Sequence, residues 1–294
     1  MFEWNSGGKH FHIREAQSEA DFHAIEDVQR DAWGFNDLDI VPAATLMATV
    51  HAGGMVLGAF EGARAIGCAY AFPAIEDGRT SMHSHLVGVR PEYRNFHAGY
   101  YLKLAQRERA IEKGLDEITW TFDPLQSLNA HLNFGKLGVI SRRYVVNFYG
   151  EETSSPLHQG FGTDRLWVRW LLKSERVTQR VSAPPGGASK TARASIDAAQ
   201  LIRSALIYSE GSRPLLGDFS GNLSASSCAI EIPGNINALK EQEPRLGVEW
   251  REATRSAFAT AIEAGFVVAD FFRIEGEPRA RWFYLLKSET DFGL

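Results

Sequence analysis

The segment VRPEYRNFHAGYYLKLAQRERAIEKG, residues 89–114, decides the fold of the N-terminal half of this 294-residue chain. It begins at the end of an apolar, strand-like run, turns sharply over residues 94–99, and continues as a helical pattern over residues 100–113. A strand that opens through a tight turn into a helix presents unpaired N–H groups and the positive end of the helix dipole at one place. Phosphate groups bind at such places. The segment therefore predicts an α/β fold with an anion-binding turn after one strand.

Upstream of this segment, the pattern predicts two helices and then a strand meander. A strand-like run over residues 11–16 precedes Ser18, which we interpret as the N-cap of an amphipathic helix that stops at Gly34. A second helix fits residues 42–51. Turn signals containing glycine then separate three strand-like segments, so we expect an antiparallel meander. These segments are residues 55–60, 65–72 and 81–89.

Downstream of the segment, strand and helix patterns alternate. The predicted elements are a strand over residues 117–122, a helix over residues 127–137 that ends at Gly138, and a strand over residues 140–148. The N-terminal half is therefore predicted to be α/β, with the meander leading into a βαβ unit.

A change in composition marks a boundary between two predicted parts of the chain. Residues 177–199 read VTQRVSAPPGGASKTARASIDAA, which is typical of an exposed linker. We predict a first domain over residues 1–176, a linker over 177–200 and a smaller C-terminal α/β lobe over 201–294. The lobe is predicted to contain strands over residues 205–208, 228–232, 266–272 and 281–286, and a helix over 247–264.

Two similar segments indicate an internal repeat. RLWVRWLLKSE, residues 165–175, and RARWFYLLKSE, residues 279–289, both begin with arginine and both end in LLKSE. Each follows a predicted series of strand, helix and strand, so we interpret the C-terminal lobe as a degenerate copy of part of the first domain. Chance similarity between two apolar strands remains the alternative.

The composition disfavours several classes of protein. The net charge is −5, from 31 basic and 36 acidic residues, so no general basic field exists to hold nucleic acid or anionic lipid. The N-terminus lacks an apolar signal region and no window approaches the length of a membrane span, so we expect a cytoplasmic protein. Cys68 and Cys228 each lie in an apolar run, which favours buried thiols over a disulfide.

The turn and the order of the elements resemble one known family. Arg94-Asn95-Phe96-His97-Ala98-Gly99 resembles the acyl-CoA pyrophosphate loop of GNAT acetyltransferases, whose pattern is Arg or Gln, two residues, Gly, one residue, and Gly or Ala. The preceding Val-Arg-Pro-Glu-Tyr and the element order over residues 10–172 are similar to the family too. The spacing of its fourth helix is kept by Ser127, Ala130, Phe134, Gly138 and Val139. Residues 120–150 are similar to an uncharacterised branch of predicted GNAT proteins.

The resemblance implies a set of CoA-binding positions. In the family, the strand before the turn separates from its neighbour, and its backbone N–H groups bind pantetheine and the thioester oxygen. Two residues depart from the family pattern: His97 stands at its first glycine, and Phe134 stands where many members have the tyrosine that protonates the leaving thiolate. The implied cofactor-binding residues are Leu86, Val87, Gly88, Val89, Arg94, Asn95, Phe96, His97, Ala98, Gly99, Tyr100, Ser127, Asn129 and Phe134.

Three residues are candidates for acid and base chemistry. His83 and His85 alternate along a predicted strand, so their imidazoles project to one face and could relay a proton through water; a structural pair of histidines is the alternative. Tyr144, with Tyr149 nearby, could replace the missing acid or belong to a half-buried aromatic face. A metal site on the two histidines lacks a third ligand at recognisable spacing.

Three further charged residues have two interpretations each. Asp123 follows a predicted strand and could receive a cationic amine, or it could form an Asp-Pro turn. Lys103 and Arg107 lie four residues apart on one predicted helix and could approach CoA phosphates, or they could form a solvated face.

These interpretations predict a GNAT-like fold: a mixed, mostly antiparallel twisted sheet flanked by helices, with a C-terminal lobe resembling a partial second unit. They imply an acyl-CoA-dependent N-acyltransferase that uses acetyl-CoA as co-substrate and no metal. The acceptor would be a small-molecule or peptide amine, without nucleic-acid or membrane partners, and a homodimer is left open. The alternatives are a CoA-binding protein of this fold without transferase activity and a metal-dependent hydrolase built on His83 and His85.

Overall fold

The computed structural model describes residues 2–76, 78–150, 161–182, 202–275 and 280–289. These residues divide between two compact units. Of the described residues, 2–120 and 171–173 belong to the first unit, and the remainder belong to the second. Each unit contains strands paired into a sheet, with helices packed on it.

The first unit is built on strands that pair in chain order. They are β1 (Phe2–Ser6), β2 (Lys9–Glu15), β3 (Met55–Glu61), β4 (Arg64–Glu76), β5 (Arg79–Val89) and β6 (Glu117–Phe122), whose last two residues fall in the second unit. Pairing is antiparallel from β1 to β5 and parallel between β5 and β6. The predicted antiparallel meander is confirmed, and β1 adds a strand that the pattern did not predict.

Helices lie on both faces of this sheet. They are α1 (Glu19–Trp33), α2 (Ala43–His51) and α3 (Ala98–Glu112), with a 3₁₀ turn at Pro91–Phe96. Along β3, Val56 packs in the core of α1 and α2, whereas its neighbour Leu57 packs in the core of α3. Because successive strand residues point to opposite faces, the two helix groups cover opposite sides of the sheet.

Local sequence signals explain where α1 begins and ends. The Ser18 hydroxyl accepts a hydrogen bond from the Asp21 N–H, and the Asp21 carboxylate accepts one from the Ser18 N–H, which forms a capping box. Gly34 ends the helix in the left-handed conformation with φ 68°. Both ends lie where the sequence predicts them.

The second unit has its own strand order. Its strands are β7 (Ile140–Val145), β8 (Arg165–Leu171), β9 (Ala205–Glu210), β10 (Arg213–Leu216), β11 (Ser227–Ile232), β12 (Phe266–Ile274) and β13 (Arg281–Ser288), and Leu171 alone falls in the first unit. They are arranged as β8-β7-β12-β13-β11-β9-β10, and only the pair β9 and β11 is parallel. The fold class is therefore the predicted one, mixed and mostly antiparallel with flanking helices.

The helices of the second unit differ from prediction in detail. They are α4 (Ser127–Ala130), which continues as a π-helical turn over His131–Leu137, then α5 (Glu175–Val181), α6 (Phe219–Leu223), α7 (Ile236–Gln242) and α8 (Pro244–Glu263). The predicted strand over 140–148 ends early at Val145, because the chain turns at Asn147 with φ 48°. Helix α5 occupies the start of the predicted linker, whose residues 183–200 lie outside the described residues.

The C-terminal segment repeats the element order around α4. Strand β11 is followed by two helices, α7 and α8, and then by the antiparallel pair β12 and β13, whereas β6 is followed by α4 and the antiparallel pair β7 and β8. The predicted strand, helix and strand pair over residues 228–286 are confirmed, and α7 is a helix that the pattern did not predict. The division into domains at residues 176 and 200 stays a prediction. The compact units have a boundary after residue 120.

Candidate functional site

A bulge in β5 sets the position of the two candidate histidines. In the pairing with β4, Leu86 lies opposite Tyr70 and Ser84 lies opposite Ala71, so His85 is the extra residue. The ring centroids of His83 and His85 are 6.5 Å apart. The two imidazoles therefore share one face, as the sequence predicts.

Beyond this bulge, β5 loses its pairing on one side. Its parallel register with β6 consists of two pairs, Met82 with Ile118 and His83 with Thr119, and no further pair joins the two strands among the described residues. On the other side, β5 stays paired with β4 as far as Val89. Backbone polar groups of residues 84–89 are thus released from the sheet on the β6 side.

The turn after β5 leads directly into the N-terminus of α3. His97 adopts the left-handed conformation, φ 61° and ψ 15°, and is the N-cap of α3. The His97 side chain makes no capping hydrogen bond to this helix, and the first turn of the helix carries no acidic residue. Among the described residues, a β-carbon at Gly99 would meet Cγ2 of Val89 at 3.8 Å, which is an ordinary van der Waals contact.

Side chains of two arginines hold the turn in place. Nη2 of Arg94 donates to the carbonyl of Ala32 at 2.8 Å, at the end of α1. Arg90 forms an ion pair with Asp31 and donates to the carbonyl of Ala65. The guanidinium of Arg94, an implied CoA contact, is thus engaged with the protein backbone.

The implied pantetheine strand is covered on one face by an indole. A β-carbon at Gly88 would lie 2.5 Å from Cη2 of Trp33, so glycine is required for this close approach. Asn95 is exposed, whereas Ala98 and Tyr100 are buried. Phe96 is half-buried, and its ring lies 5.3 Å from that of Phe11.

An aromatic cluster surrounds the histidines. Phe72 lies 5.3 Å from His83 and 5.8 Å from His85 between ring centroids, and Tyr70 lies 5.9 Å from His85. The Tyr70 hydroxyl is 3.1 Å from the Thr49 hydroxyl on α2. The imidazoles therefore sit on the α1 and α2 face in a mostly apolar environment.

This environment keeps both histidines uncharged at neutral pH. Burial lowers the pKa of His83 to about 4, with smaller contributions from His85 and Lys103. Burial also lowers the pKa of His85. Nδ1 of His83 lies 3.1 Å from the Thr119 hydroxyl, whereas His85 is half-buried. His85 is thus the more accessible of two neutral imidazoles.

A cluster of polar side chains lies on the opposite face of β5. Nζ of Lys103 donates to the Ser84 hydroxyl at 2.8 Å and lies 3.6 Å from the ring centroid of Trp120. The Ser84 hydroxyl donates to Oε1 of Gln106 at 2.9 Å. Lys103 is 4% exposed, and burial lowers its pKa well below the ordinary value. The interpretation of Lys103 as part of a solvated face is therefore wrong.

Arg107 is also part of the first unit rather than a free charge on the helix surface. Its Nε and Nη2 donate to the carbonyl of Leu172 at 2.9 and 2.6 Å. Helical spacing contained a signal for Lys103: with Gln106 and Ala110 it lies at intervals of three and four on the buried face of α3.

Tyr144 lies in the second unit and is tied to a carboxylate. Its hydroxyl donates to Oδ2 of Asp164 at 2.7 Å, and its ring stacks on Phe258 at 5.5 Å. Burial, followed by the charge of Asp164, raises the pKa of Tyr144. A tyrosine whose proton is held in this way is a weak acid, so the geometry favours the structural interpretation of Tyr144.

The implied CoA contacts on α4 and on the π-helical turn after it have different surroundings. The Ser127 hydroxyl donates to the carbonyl of Gly234 at 2.6 Å, and Asn129 is exposed. Phe134 is fully buried, with its ring 5.6 Å from Tyr284 and 6.1 Å from Phe122. In the second unit, Phe134 is thus a core residue.

Asp123 is neutralised within the second unit. Its Oδ2 accepts a hydrogen bond from Nη2 of Arg251 at 2.8 Å, and its Oδ1 accepts one from the N–H of Leu125. The turn interpretation of Asp123 is confirmed by the second bond. Because the carboxylate already has a cationic partner, this geometry gives no support for Asp123 as a receptor of a cationic amine.

No group of three or more His, Cys, Asp and Glu side chains is placed to hold a metal ion within the described parts of the chain. None of the helices in the described ranges combines the length and apolarity needed to cross a bilayer.

Solved structures share part of this architecture. No family model and no curated protein matches the sequence. The putative acetyltransferase yncA from Salmonella typhimurium, solved with its cofactor acetyl-CoA, has 18% identity and a TM-score of 0.46 over 60% of this chain and 99% of its own. The ribosomal-protein-S18-alanine N-acetyltransferase from Escherichia coli has 12% identity and a TM-score of 0.45 over 60% of this chain and 98% of its own. Both are similar to this chain in fold.

Proposed function

We propose that this protein is an acyl-CoA-dependent N-acyltransferase of the GNAT type, with acetyl-CoA as the donor and a small-molecule or peptide amine as the acceptor. The observation that carries the proposal is the continuous segment formed by the end of β5, the turn at His97 and the start of α3. It combines released backbone groups on β5 with an uncapped helix N-terminus a few residues later. The motif Arg94–Gly99 in this segment resembles the pyrophosphate loop of the GNAT family, which supports the choice of acyl-CoA as the ligand.

The residues of this segment fit two parts of a CoA molecule, the pyrophosphate and the pantetheine. Backbone N–H groups at an open helix N-terminus bind pyrophosphate oxygens, and Gly99 leaves space for their approach. Released strand groups near Leu86 can bind the amide groups of pantetheine. When bound, acetyl-CoA supplies the acyl group as an activated thioester. The chain's own contribution is to hold and orient it.

His85 is the residue that we assign to proton transfer. It lies at the bulge where the pairing of β5 changes, it is half-buried, and its imidazole is neutral at pH 7. A neutral imidazole can accept the proton that an attacking amine loses. His83 is less suitable, because its pKa of about 4 makes it a weaker base and its Nδ1 lies beside Thr119.

One observation favours a second candidate function, a CoA-binding protein without transferase activity. Neither candidate acid of the described residues suits a departing thiolate: Phe134 has no hydroxyl and is buried, and Tyr144 is bonded to Asp164. In this case the CoA site would serve assembly or regulation. The two candidates share the binding step and differ in chemistry.

Isothermal titration with acetyl-CoA tests the shared step. We expect saturable binding to the wild type and none to Gly99→Glu, because the new carboxylate lies between the helix N-terminus and the pyrophosphate. The fold should survive, since the added β-carbon meets only an ordinary contact. Ala20→Glu is the matched control: it adds the same side chain at an exposed position in the first turn of α1. Absence of binding to the wild type would overturn both candidates.

Transfer of a labelled acetyl group to a panel of amines and peptides then separates the two candidates. Turnover that falls at least about 100-fold in His85→Gln, with acetyl-CoA affinity unchanged, supports the transferase and the role of His85. Binding without turnover on any acceptor of the panel supports the CoA-binding protein. A His85→Gln enzyme of full activity contradicts the assignment of this residue.

A further inference from the structure

The bulge in β5 places two neighbouring side chains on the same face of the sheet. Before the bulge, His83 lies on the side of α1 and α2, and Ser84 lies on the side of α3. The extra residue changes this alternation, so His85 and Leu86 both lie on the side of α1 and α2. Val87 then returns to the side of α3. His85 and Leu86 are both half-buried on their shared face.

Aromatic rings of β4 flank His85 on this face. The half-buried ring of Phe72 lies 5.8 Å from the imidazole of His85 between centroids. The ring of Tyr70 meets the same imidazole edge-on at 5.9 Å. Tyr70 is buried and its hydroxyl lies 3.1 Å from that of Thr49, so Phe72 is the more accessible of the two rings. A flat aromatic ligand can make stacked or edge-on contacts with such a ring.

The electrostatics of this face favour an uncharged ligand. Burial is the main cause that lowers the pKa of His83 and of His85, and the smaller contributions at His83 come from His85 and Lys103. Among the described residues, no carboxylate contributes to either shift. Glu26, which α1 directs toward α2, accepts a hydrogen bond from the N–H of Ala43 at 2.6 Å. An ammonium group on the histidine face would therefore lose hydration without gaining an ion pair.

The basicity of the two imidazoles points to the same kind of ligand. An alkylamine with a pKa of about 10, like that of lysine, is almost entirely an ammonium ion at pH 7 and has no free lone pair. The imidazoles of His83 and His85 have lowered pKa values, so they are too weakly basic to remove that proton before the attack. The nitrogen of an aromatic amine is uncharged at neutral pH and needs no such step.

We infer that the acceptor of this protein is an arylamine, bound with its ring beside Phe72 and its nitrogen toward His85. The inference rests on the proposed function and names the chemical class of the acceptor at that same site. In the transfer, the nitrogen lone pair forms the C–N bond while the C–S bond of the thioester breaks. One N–H proton passes to His85, and the thiolate leaves with its electron pair and takes a proton from solvent.

Two isomers test the class of the acceptor, because 4-methylaniline and benzylamine have the same atoms and differ in charge at pH 7. The full chain is saturated with CoA, which carries no acyl group, and titrated with each amine by calorimetry. We expect 4-methylaniline to bind at least about tenfold more tightly than benzylamine at pH 7. Benzylamine should bind more tightly at pH 9, where more of it is uncharged.

The outcomes separate this inference from the proposed function. Absence of CoA binding overturns the proposed function and the inference with it. CoA binding together with equal or tighter binding of benzylamine at pH 7, or without saturable binding of 4-methylaniline, overturns the inference alone. Labelled acetyl-CoA then replaces CoA: we expect acetylation of 4-methylaniline, and binding of this amine without acetylation overturns its class as the acceptor.

Two variants of Phe72 and one control locate the binding. Phe72→Leu keeps an apolar side chain but removes the ring, so the affinity for 4-methylaniline should fall roughly fivefold or more, with CoA affinity unchanged. Phe72→Asp adds a carboxylate beside His85 and should shift the preference toward benzylamine. Phe2→Leu is the matched control, because Phe2 is a half-buried phenylalanine in the core on the α3 side of the sheet.

The control should keep the wild-type preference between the two isomers. Unchanged affinity for 4-methylaniline in Phe72→Leu, or an equal loss in Phe2→Leu, contradicts the position of the ring. If Phe72→Asp fails to fold, Phe72→Leu and the wild-type titrations still decide the question.

Discussion

At the scale of single residues, His97 carries an unusual backbone conformation. Its φ of 61° lies in the left-handed region, which costs a residue with a β-carbon about 1–2 kcal/mol. In the GNAT turn motif, the residue at the position of His97 is the first glycine. The strain is confined to the place where the chain passes from β5 to α3, which is where strain is often retained for function.

Two substitutions of His97 should separate the effect of backbone strain on stability from the effect of the side-chain contacts. We expect His97→Gly to be more stable than His97→Ala by about 1 kcal/mol, because both lack the imidazole and only alanine retains the strain. Urea unfolding of the two variants measures the difference. Equal stability would mean that the turn relaxes when the imidazole is removed.

The same substitutions bear on CoA binding. His97→Gly should bind acetyl-CoA at least as tightly as the wild type, because it keeps the turn and removes bulk near the helix N-terminus. If binding weakens equally in the glycine and alanine variants, the imidazole itself contacts the ligand.

His83 should make stability depend on pH. Its pKa is about 4 in the folded state against about 6.5 in the unfolded chain, so between these values the unfolded state binds more protons. Stability should therefore fall as the pH decreases from about 6.5 to 4, by about 3 kcal/mol from this residue. Urea unfolding at pH 7, 5.5 and 4.5 should show a flatter profile for His83→Asn. The exposed His51→Asn control should follow the wild type.

At the scale of elements, the packing of α3 on β5 affects both the proposed CoA site and the stability of the fold. Helix α3 presents the N-terminus that we assign to CoA at one end, and it buries Lys103 and Gln106 against Ser84 further along. A buried amine without a carboxylate partner is destabilising relative to an apolar side chain. The buried amine of Lys103 therefore lowers the free energy of unfolding, although it lies on the helix that carries the proposed CoA site.

Lys103→Met should therefore stabilise the protein at pH 7. Because the pKa of Lys103 is lowered in the folded state, the unfolded chain binds an extra proton up to about pH 10, and this penalty disappears as the pH approaches that value. We expect a gain of about 1–3 kcal/mol at pH 7 that decreases by pH 9.5. Chemical unfolding at both pH values measures it, with Lys113→Met at the exposed end of α3 as control. A loss of stability at pH 7 would mean that the bond to Ser84 outweighs the cost of burial.

At the scale of the whole molecule, the proposed CoA segment belongs to one of the two compact units. It lies within residues 84–101 of the first unit. In the repeated series of elements, helix α8 of the second unit takes the place of α4.

Hydrogen exchange should show where acetyl-CoA binds. Acetyl-CoA should slow exchange of backbone amides in residues 84–101, because ligands protect the groups that they bind. Gly99→Glu should lose this protection. Protection by acetyl-CoA in α8 but not in residues 84–101 would contradict the assignment of the CoA site.

The sequence by itself determined the features that depend on neighbouring residues. The capping box at Ser18, the stop at Gly34, the meander, the turn after β5 and the element series around α8 could all be predicted, since periodicity, caps and turns are local. The resemblance of residues 94–99 then pointed to a cofactor. The shared face of the two histidines also followed from local alternation.

Only the tertiary structure decided what surrounds those residues. The bulge at His85 and the burial of Lys103 depend on β4 and Trp120, and the partner of Asp123 lies 128 residues away on α8. A charge on a helix reads the same in a sequence whether water or a strand covers it, because burial is a property of distant segments brought into contact. For this reason the low pKa of His83, the lowered pKa of Lys103 and the unsatisfied donors of Arg251 became visible only in the folded chain.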